Sequence, residues 1–378
     1  MEGKEISISL CMIVRNEENT IARCLNSVKG IPDEIVIVDT GSSDRTQEIV
    51  QEFTDKIFDF TWIDDFAAAR NFAFSKASTD YILWLDADDI FAESDREQFL
   101  KLKINLDPLM DAVNMPYLLA FDQFGAVTFS LRRNRLVKRS KNFRWIGAVH
   151  EYLEVPGQVL NSDICVTHKG MGGGDADRNL KIYEKRKVKG ESFSPRDLYY
   201  YANELFDHQL YKRAIEAYQE FFETGQGWVE DKIAACGKTA DCYQNLGEKT
   251  KQLEYIFKSF EHATPRAEFC CRLGFYFLSA EHYEQGVFWY KLATRLEKPI
   301  DSWGPMIEAC FTWLPHLQLC VCYDRLGKHE LAYEHNEIAR KYRPENTQVM
   351  YNKNYLEGIL GLGRAAETEE INQELASK

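Results

Sequence analysis

The stretch Tyr81-Ile82-Leu83-Trp84-Leu85-Asp86-Ala87-Asp88-Asp89-Ile90 sets an apolar run directly against acid, small, acid, acid. A short continuous apolar run bounded by a polar break reads as a buried central strand. Carboxylates at its end fall where the carboxyl edge of an open α/β sheet binds ligands. In an extended segment residues two apart point the same way, so Asp86 and Asp88 are expected to converge while Ala87 leaves room between them. Two converging carboxylates repel unless a cation sits between them. Hard divalent ions such as Mg²⁺ or Mn²⁺ use one or two carboxylates together with substrate phosphates. The competing use of Asp88 or Asp89 is to cap a helix over residues 93–100. An Asp-x-Asp taken alone does not separate the two uses.

The elements that must position these acids follow from the flanking pattern. Residues 6–14 read as a first strand, and a helix follows with Ile21, Leu25 and Val28 at helical spacing, stopped by Gly30 and Pro32. Residues 34–39 read as a second strand; residues 40–44 cap a helix over 45–53, and 56–60 suit a third strand. Residues 62–71 open a third helix behind an acidic cap, ahead of the Tyr81 strand. This alternation predicts a largely parallel sheet with right-handed crossovers. The glycines are spaced neither as Gly-x-Gly-x-x-Gly nor as a phosphate-binding loop, which removes the main support for dinucleotide oxidoreductases and nucleotide triphosphatases. Beyond Leu100 the pattern is mixed, with strands expected over 112–119, 127–131, 135–137 and 164–168, and a Gly-rich segment over 169–175.

Composition changes near Asn179, and the rest of the chain reads as helical. Small residues recur twelve apart at Ala202 and Ala214, Ala240 and Gln252, Gly274 and Gly286, Cys320 and Ala332. Seven further on stand Phe221, Ser259, Ala293 and Ala339, and Pro265, Pro299 and Pro344 close three of the units. Helix pairs of about 34 residues with small residues at their crossings are the tetratricopeptide signature. The expected organisation is an α/β domain over 1–178, with a Rossmann-like, mostly parallel sheet, followed by an all-α helical-repeat domain over 179–378.

Composition bounds the function. The 378 residues are 45% hydrophobic and 13% aromatic, enough for large cores and too apolar for a disordered chain. Lys and Arg number 46 against 59 Asp and Glu, a net charge of −13, which argues against nucleic acid as a partner. The ten cysteines form no spaced framework and lie mostly in apolar helical surroundings, as reduced core cysteines of a cytoplasmic protein would. The first residues lead into a strand and not into a signal peptide, and no run of about 18 apolar residues predicts a membrane span.

Four pieces of the first half resemble the family-2 glycosyltransferases of the GT-A fold: residues 12–17 after the first strand, 37–44 after the second, 62–71, and 85–88. Joined to a helical-repeat tail, the chain is similar to bacterial peptide S-glycosyltransferases of the sublancin type, which also share the Gly-x-x-His-Glu of residues 147–151 and a strand-ending His168. The resemblance implies an inverting, metal-dependent transfer from a UDP-sugar to a peptide or protein side chain, with cysteine among the acceptors. It implies Asp39 at the uracil, Val14 and Glu17 lining the nucleoside, and Arg70 and Asp86 at the nucleotide. Asp86, Asp88 and His168 would hold Mn²⁺ or Mg²⁺, with His150 competing for the third place. Glu151 is the expected general base, beside His150; Lys169 and Arg178 flank the Gly-rich loop. Each residue also has a plainer use. Asp39 could cap the next helix, Glu17 could be a first-turn acid, and a lone histidine is more often only hydrogen-bonded. Tyr199, Tyr200, Tyr201, Trp228, Trp289 and Trp303 would serve an acceptor groove, a homodimer contact or the core. A glycan acceptor, or a non-catalytic repeat scaffold with an inactive nucleotide-sugar domain, are the alternatives.

Overall fold

In the computed structural model, residues 5–122, 125, 127–170, 176–298 and 307–362 are described. The apolar runs of the first half bury both faces of their strands, as a parallel sheet between helices requires. β1 (Ile8–Val14), β2 (Glu34–Asp39), β3 (Ile57–Asp59) and β4 (Tyr81–Trp84) alternate with α1 (Ile21–Ser27), α2 (Thr46–Val50) and α3 (Phe66–Lys76). β1 pairs in parallel with β2 and β4, and β2 with β3. The chain therefore steps one way from β1 and then returns to lay β4 on its other side, which opens a crevice at the carboxyl ends of β1 and β4. Ile8, Leu10, Met12 and Leu83 fill one face of this sheet, and Cys11, Val36, Val38, Ala73 and Ile82 the other.

The mixed part follows as β5 (Asp89–Ile90), α4 (Glu93–Asn105), β6 (Ala112–Phe121), β7 (Val127–Lys138), β8 (Trp145–Ile146), β9 (Tyr152–Leu153), β10 (Val159–Asn161) and β11 (Val166–His168). The sheet order is β3-β2-β1-β4-β7-β6-β11-β5, with β10 on β6 and a separate β8-β9 pair. β7 runs antiparallel to β4 and β6, and the two strands expected over 127–131 and 135–137 are one strand. Leu136 faces Val113 and Asn134 faces Asn114, so Arg135 has no opposite residue. Such a bulge re-aims a side chain.

α5 (Arg178–Val188) and α6 (Pro195–Asp207) belong to the first of two compact units, Met1–His208; the second is Gln209–Lys378. The boundary thus lies two helices beyond the compositional change at Asn179. Turning helical is not the same as leaving a core: Tyr183 of α5 is buried, and Arg186 joins α5 to Asp197 of α6 at 2.6 Å. Ser194 opens α6 with a capping box, followed by Pro195 in the first turn.

The second unit is helical: α7 (Tyr211–Glu223), α8 (Val229–Asn245), α9 (Lys249–Lys258), α10 (Ala267–Ser279), α11 (Tyr283–Ala293), α12 (Leu314–Arg325), α13 (His329–Tyr342) and α14 (Thr347–Leu360). The repeat positions Ala214, Phe221, Ala240, Gln252, Ser259, Ala293, Cys320, Ala332 and Ala339 are all buried. Gly274 shows the reason for small residues at a crossing: a Cβ there would stand 2.6 Å from the Tyr290 ring. Tyr199 and Tyr201 are core residues of the first unit, Trp289 is partly buried and Trp228 is exposed. Pro299, Trp303 and residues 171–175 of the Gly-rich segment lie outside the described residues. All ten cysteines are free and nine are buried. Among the described residues no helix is long and apolar enough to cross a membrane.

Candidate active site

β1, β2 and β4 deliver Glu17, Asp39 and the 86–89 acids to one edge because parallel neighbours end together. The acids do not continue the strand. β4 ends at Trp84, and a turn follows in which the Asp89 N–H donates to the Asp86 carbonyl at 3.0 Å. The alternation of an extended chain therefore does not apply: Asp86 pairs with Arg70, and Asp88 lies beside His168. Nor do Asp88 and Asp89 cap α4, whose N-cap is Ala92 with no side-chain bond.

Asp86 joins Arg70. The guanidinium donates from Nη2 to Asp86 Oδ1 at 2.7 Å and from Nε to Glu151 Oε1 at 2.6 Å. α3 can bring Arg70 so close because Ala67 and Ala69 leave no bulk against the sheet, and Asp65 caps the helix by accepting from the Ala68 N–H at 2.8 Å. Arg70 is buried between Trp84 and Trp145, 5.0 and 4.8 Å from the ring centres. Burial works against charge on both partners. The Arg70 and Arg135 guanidinia outweigh it and hold the Asp86 carboxyl below its usual range, while Asp86 and Glu151 raise the guanidinium. Arg133 is lowered, first by burial.

Asp88, Asp89 and His168 form a second group, with one ligand atom from each within 4.8 Å of the others. Asp89 takes the place expected of Asp86. It is buried; its Oδ2 is 3.0 Å from Arg135 Nη1 and accepts from the Asp86 N–H at 3.1 Å. Its Oδ1 is buried with no hydrogen-bond partner. His168 Nδ1 lies 3.4 Å from Asp88 Oδ1 and 3.9 Å from Asp89 Oδ1, and the nearness of Asp88, then Asp89, pushes its imidazole up to about 10. Gly170 stands over the group: a Cβ there would meet His168 Nε2 at 2.7 Å and Asp88 Oδ2 at 3.2 Å. An orphaned carboxylate oxygen, a second carboxylate and an imidazole around one point fit a hard divalent cation.

Asp39 is buried. Its Oδ1 accepts from the N–H groups of Gly41 and Ser42 at 2.7 Å each, so it caps the loop and not the helix, and Oδ2 is left buried without a partner. Glu17 Oε2 accepts from Thr20 Oγ1 at 2.5 Å, and burial raises its carboxyl against that bond. α1 starts after Thr20, so Glu17 is not a first-turn acid. The Val14 carbonyl is taken by Thr40. His150 is bound elsewhere, by Glu204 at 2.6 Å. Lys169 lies over Phe121 and Arg178 over Phe66.

The sequence pattern did not single out Asp89 beside Asp88 and His168, nor Arg135. Arg135 is fully buried between Trp84 and Tyr117, at 4.0 and 4.3 Å from the ring centres. The one available signal was the arginines of Arg132-Arg133-Asn134-Arg135 inside a strand that ends Leu136-Val137. Buried charge in a strand implies a partner.

The model of the family described as Glycosyl transferase family 2 matches residues 9–116. The chain is similar to a TPR repeat-containing protein of Synechococcus elongatus, 41% identical over 147 residues that cover 39% of this chain and 35% of that one. It is similar to the SPbeta prophage-derived glycosyltransferase SunS of Bacillus subtilis, 26% identical over 234 residues, 57% of this chain and 54% of SunS. Its alignment with the crystal structure of MamA has a TM-score of 0.35 at 17% identity, over 44% of this chain and 82% of that one. The chain spans about a third to about half the length of these curated relatives. Residues 9–116 thus match the glycosyl transferase family 2 model, in a chain whose second unit is built of tetratricopeptide-like helix pairs.

Proposed function

We propose that this protein transfers a sugar from a UDP-sugar to a peptide or protein side chain, with inversion at the anomeric carbon and with Mn²⁺ or Mg²⁺. The observation that carries the reading is the pair of acid groups at one sheet edge: Asp88, Asp89 and His168 around a point fit for a cation, and Arg70 bridging Asp86 to Glu151. The 26% identity to the glycosyltransferase SunS over 57% of this chain supports the transferase part of the reading.

Asp39 receives the uracil N–H on Oδ2, whose lack of a partner favours this role. Val14 and Glu17 line the nucleoside, and Asp86, oriented by Arg70, meets the ribose or diphosphate. Asp88, Asp89 and His168 would hold the divalent ion, which would supply positive charge to neutralise the departing nucleotide. The acceptor O–H or S–H forms the new bond to the anomeric carbon from the face opposite the nucleotide. Its proton passes to Glu151, and the electron pair of the breaking C–O bond leaves on the UDP oxygen. Arg70 holds Glu151 in place through a charge-assisted bond.

The test is to incubate the protein with each UDP-sugar and Mn²⁺ and measure UDP release, with and without a chelator. Release that requires metal and disappears in Asp88→Ala and His168→Ala is expected. Metal-independent release, or full release by both variants, would overturn the cation assignment. A mass shift on a co-incubated peptide, lost when its cysteine becomes serine, reads S-transfer directly; UDP release without any shift reads hydrolysis.

A further inference from the structure

His150 has a backbone φ of +51°. Few residues other than glycine are found there, and such strain persists only where the surroundings over-determine it. The surroundings are one face of α6. Arg196, Tyr200 and Glu204 follow at four-residue spacing, which stacks them along a single helix face. All three grip His150. Arg196 donates to the His150 carbonyl from Nη2 at 3.1 Å and Nε at 3.3 Å. Tyr200 stacks on the imidazole, with ring centres 4.4 Å apart and planes inclined by 16°. Glu204 Oε1 lies 2.6 Å from His150 Nε2.

Glu204 is itself fixed. It is buried, and Asn179 of α5 donates to the same Oε1 at 3.1 Å. On its other side the loop is tied to α3: the Phe66 N–H donates to the Ala148 carbonyl at 2.8 Å, and Asn71 exchanges two 3.0 Å bonds with the Trp145 backbone. Gly147, at φ +100°, provides the bend between these anchors. The next residue after His150 is Glu151, which reaches Arg70 and through it Asp86.

We propose that α6 is the positioning element for the acceptor-activating carboxylate: its Arg196–Tyr200–Glu204 face locks His150 in the left-handed conformation that aims Glu151 into the site. His150 is then a positioning residue and touches neither metal nor substrate. The proposal rests on Glu151 acting as the base. It accounts for the two helices after the sheet folding with the first unit, since α6 holds His150 and Asn179 of α5 holds Glu204.

Three variants test it in the full chain: Glu204→Leu, which keeps bulk and removes the acceptor; Glu204→Gln, which keeps an acceptor oxygen; and His150→Gly, which accepts the backbone angle but has nothing for α6 to hold. Amide hydrogen exchange over residues 145–152 is measured beside steady-state kinetics and donor binding. Glu204→Leu and His150→Gly should speed exchange in this loop and leave that of residues 81–90 unchanged. They should lower kcat by about 10–100-fold, as loss of an outer-shell partner does, with donor affinity unchanged. Glu204→Gln should restore most of both. Faster loop exchange with kcat intact would overturn the proposal, as would unchanged exchange in both disruptive variants. Equal loss of donor binding and kcat would make α6 merely structural and overturn it as well. Wild-type protein that turns over no donor sinks the base assignment and this role with it; the exchange data still decide whether α6 holds the loop.

Discussion

The sheet edge gathers buried charges at one place, while the crossings of the helical pairs bury small residues. At the edge, Arg70, Asp89 and Arg135 are removed from water together, with oxygen or nitrogen atoms left over on Asp39, Asp89 and Arg135. At the crossings of the pairs stand Gly274, Gly286, Ala293 and Ala332, placed so that helices approach closely. Buried ion pairs are a weak source of stability because desolvation offsets their attraction, whereas close packing of small residues contributes directly. The first region therefore reads as arranged for a ligand and the second as arranged for shape.

Four changes would break or sharpen that contrast. The largest effect is expected for Arg70→Ala, which leaves Asp86 and Glu151 without their cation. A loss of about 3–5 kcal/mol in unfolding free energy of the first unit is expected, together with loss of turnover, read by urea denaturation and UDP release. Stability within error of wild type would show that the network is not a buried charge cluster in solution. Asp88→Ala should be the reverse case. Its side chain is partly exposed beside a second acid, so stability should hold or rise while kcat drops by about 100-fold or more. A lower melting temperature with kcat preserved would make Asp88 structural.

Gly274→Ala comes next, with about 1–3 kcal/mol lost from the second unit alone and donor binding untouched, read by two-step melting and a binding titration. A neutral result would mean the Tyr290 ring has room to move. The smallest effect is a pH dependence in the same unit. His316 Nδ1 is 2.9 Å from His335 Nδ1; burial, then the neighbouring imidazole, lowers His316 to about 4, and burial lowers His335. The unfolded chain, with imidazoles near 6.5, binds protons first. Stability is therefore full above that pH, falls as pH drops from about 6.5 towards about 4, and is flat below. Urea midpoints at pH 7.5 and 4.5 should differ in wild type, and the difference should shrink in His316→Leu, where His335 remains lowered by burial; an equal difference in both would place the titration elsewhere.

Much of this was legible in the residues. The apolar runs located β1, β2 and β4, and the spacing of small residues found Ala240, Gly274 and Cys320 at their crossings. Both are short-range periodic signals that local geometry dictates. The 86–89 turn was not legible, because a four-residue acid run has no period and its shape depends on Arg70 and Arg135, remote in sequence. The compact units divide two helices beyond the compositional change at Asn179, because composition reports helix content and not which core a helix covers.

By itself the sequence determined the alternating sheet, the strand ends that gather acids on one edge, and the small-residue register of the repeats, since each follows from backbone periodicity and burial. Only the tertiary structure decided that Asp89 and not Asp86 joins Asp88 and His168, that a bulge aims Arg135 beneath them, and that α6 grips His150. Those pairings join residues separated by tens of positions. Their partners are chosen by which charges the fold brings within hydrogen-bonding distance once water is excluded.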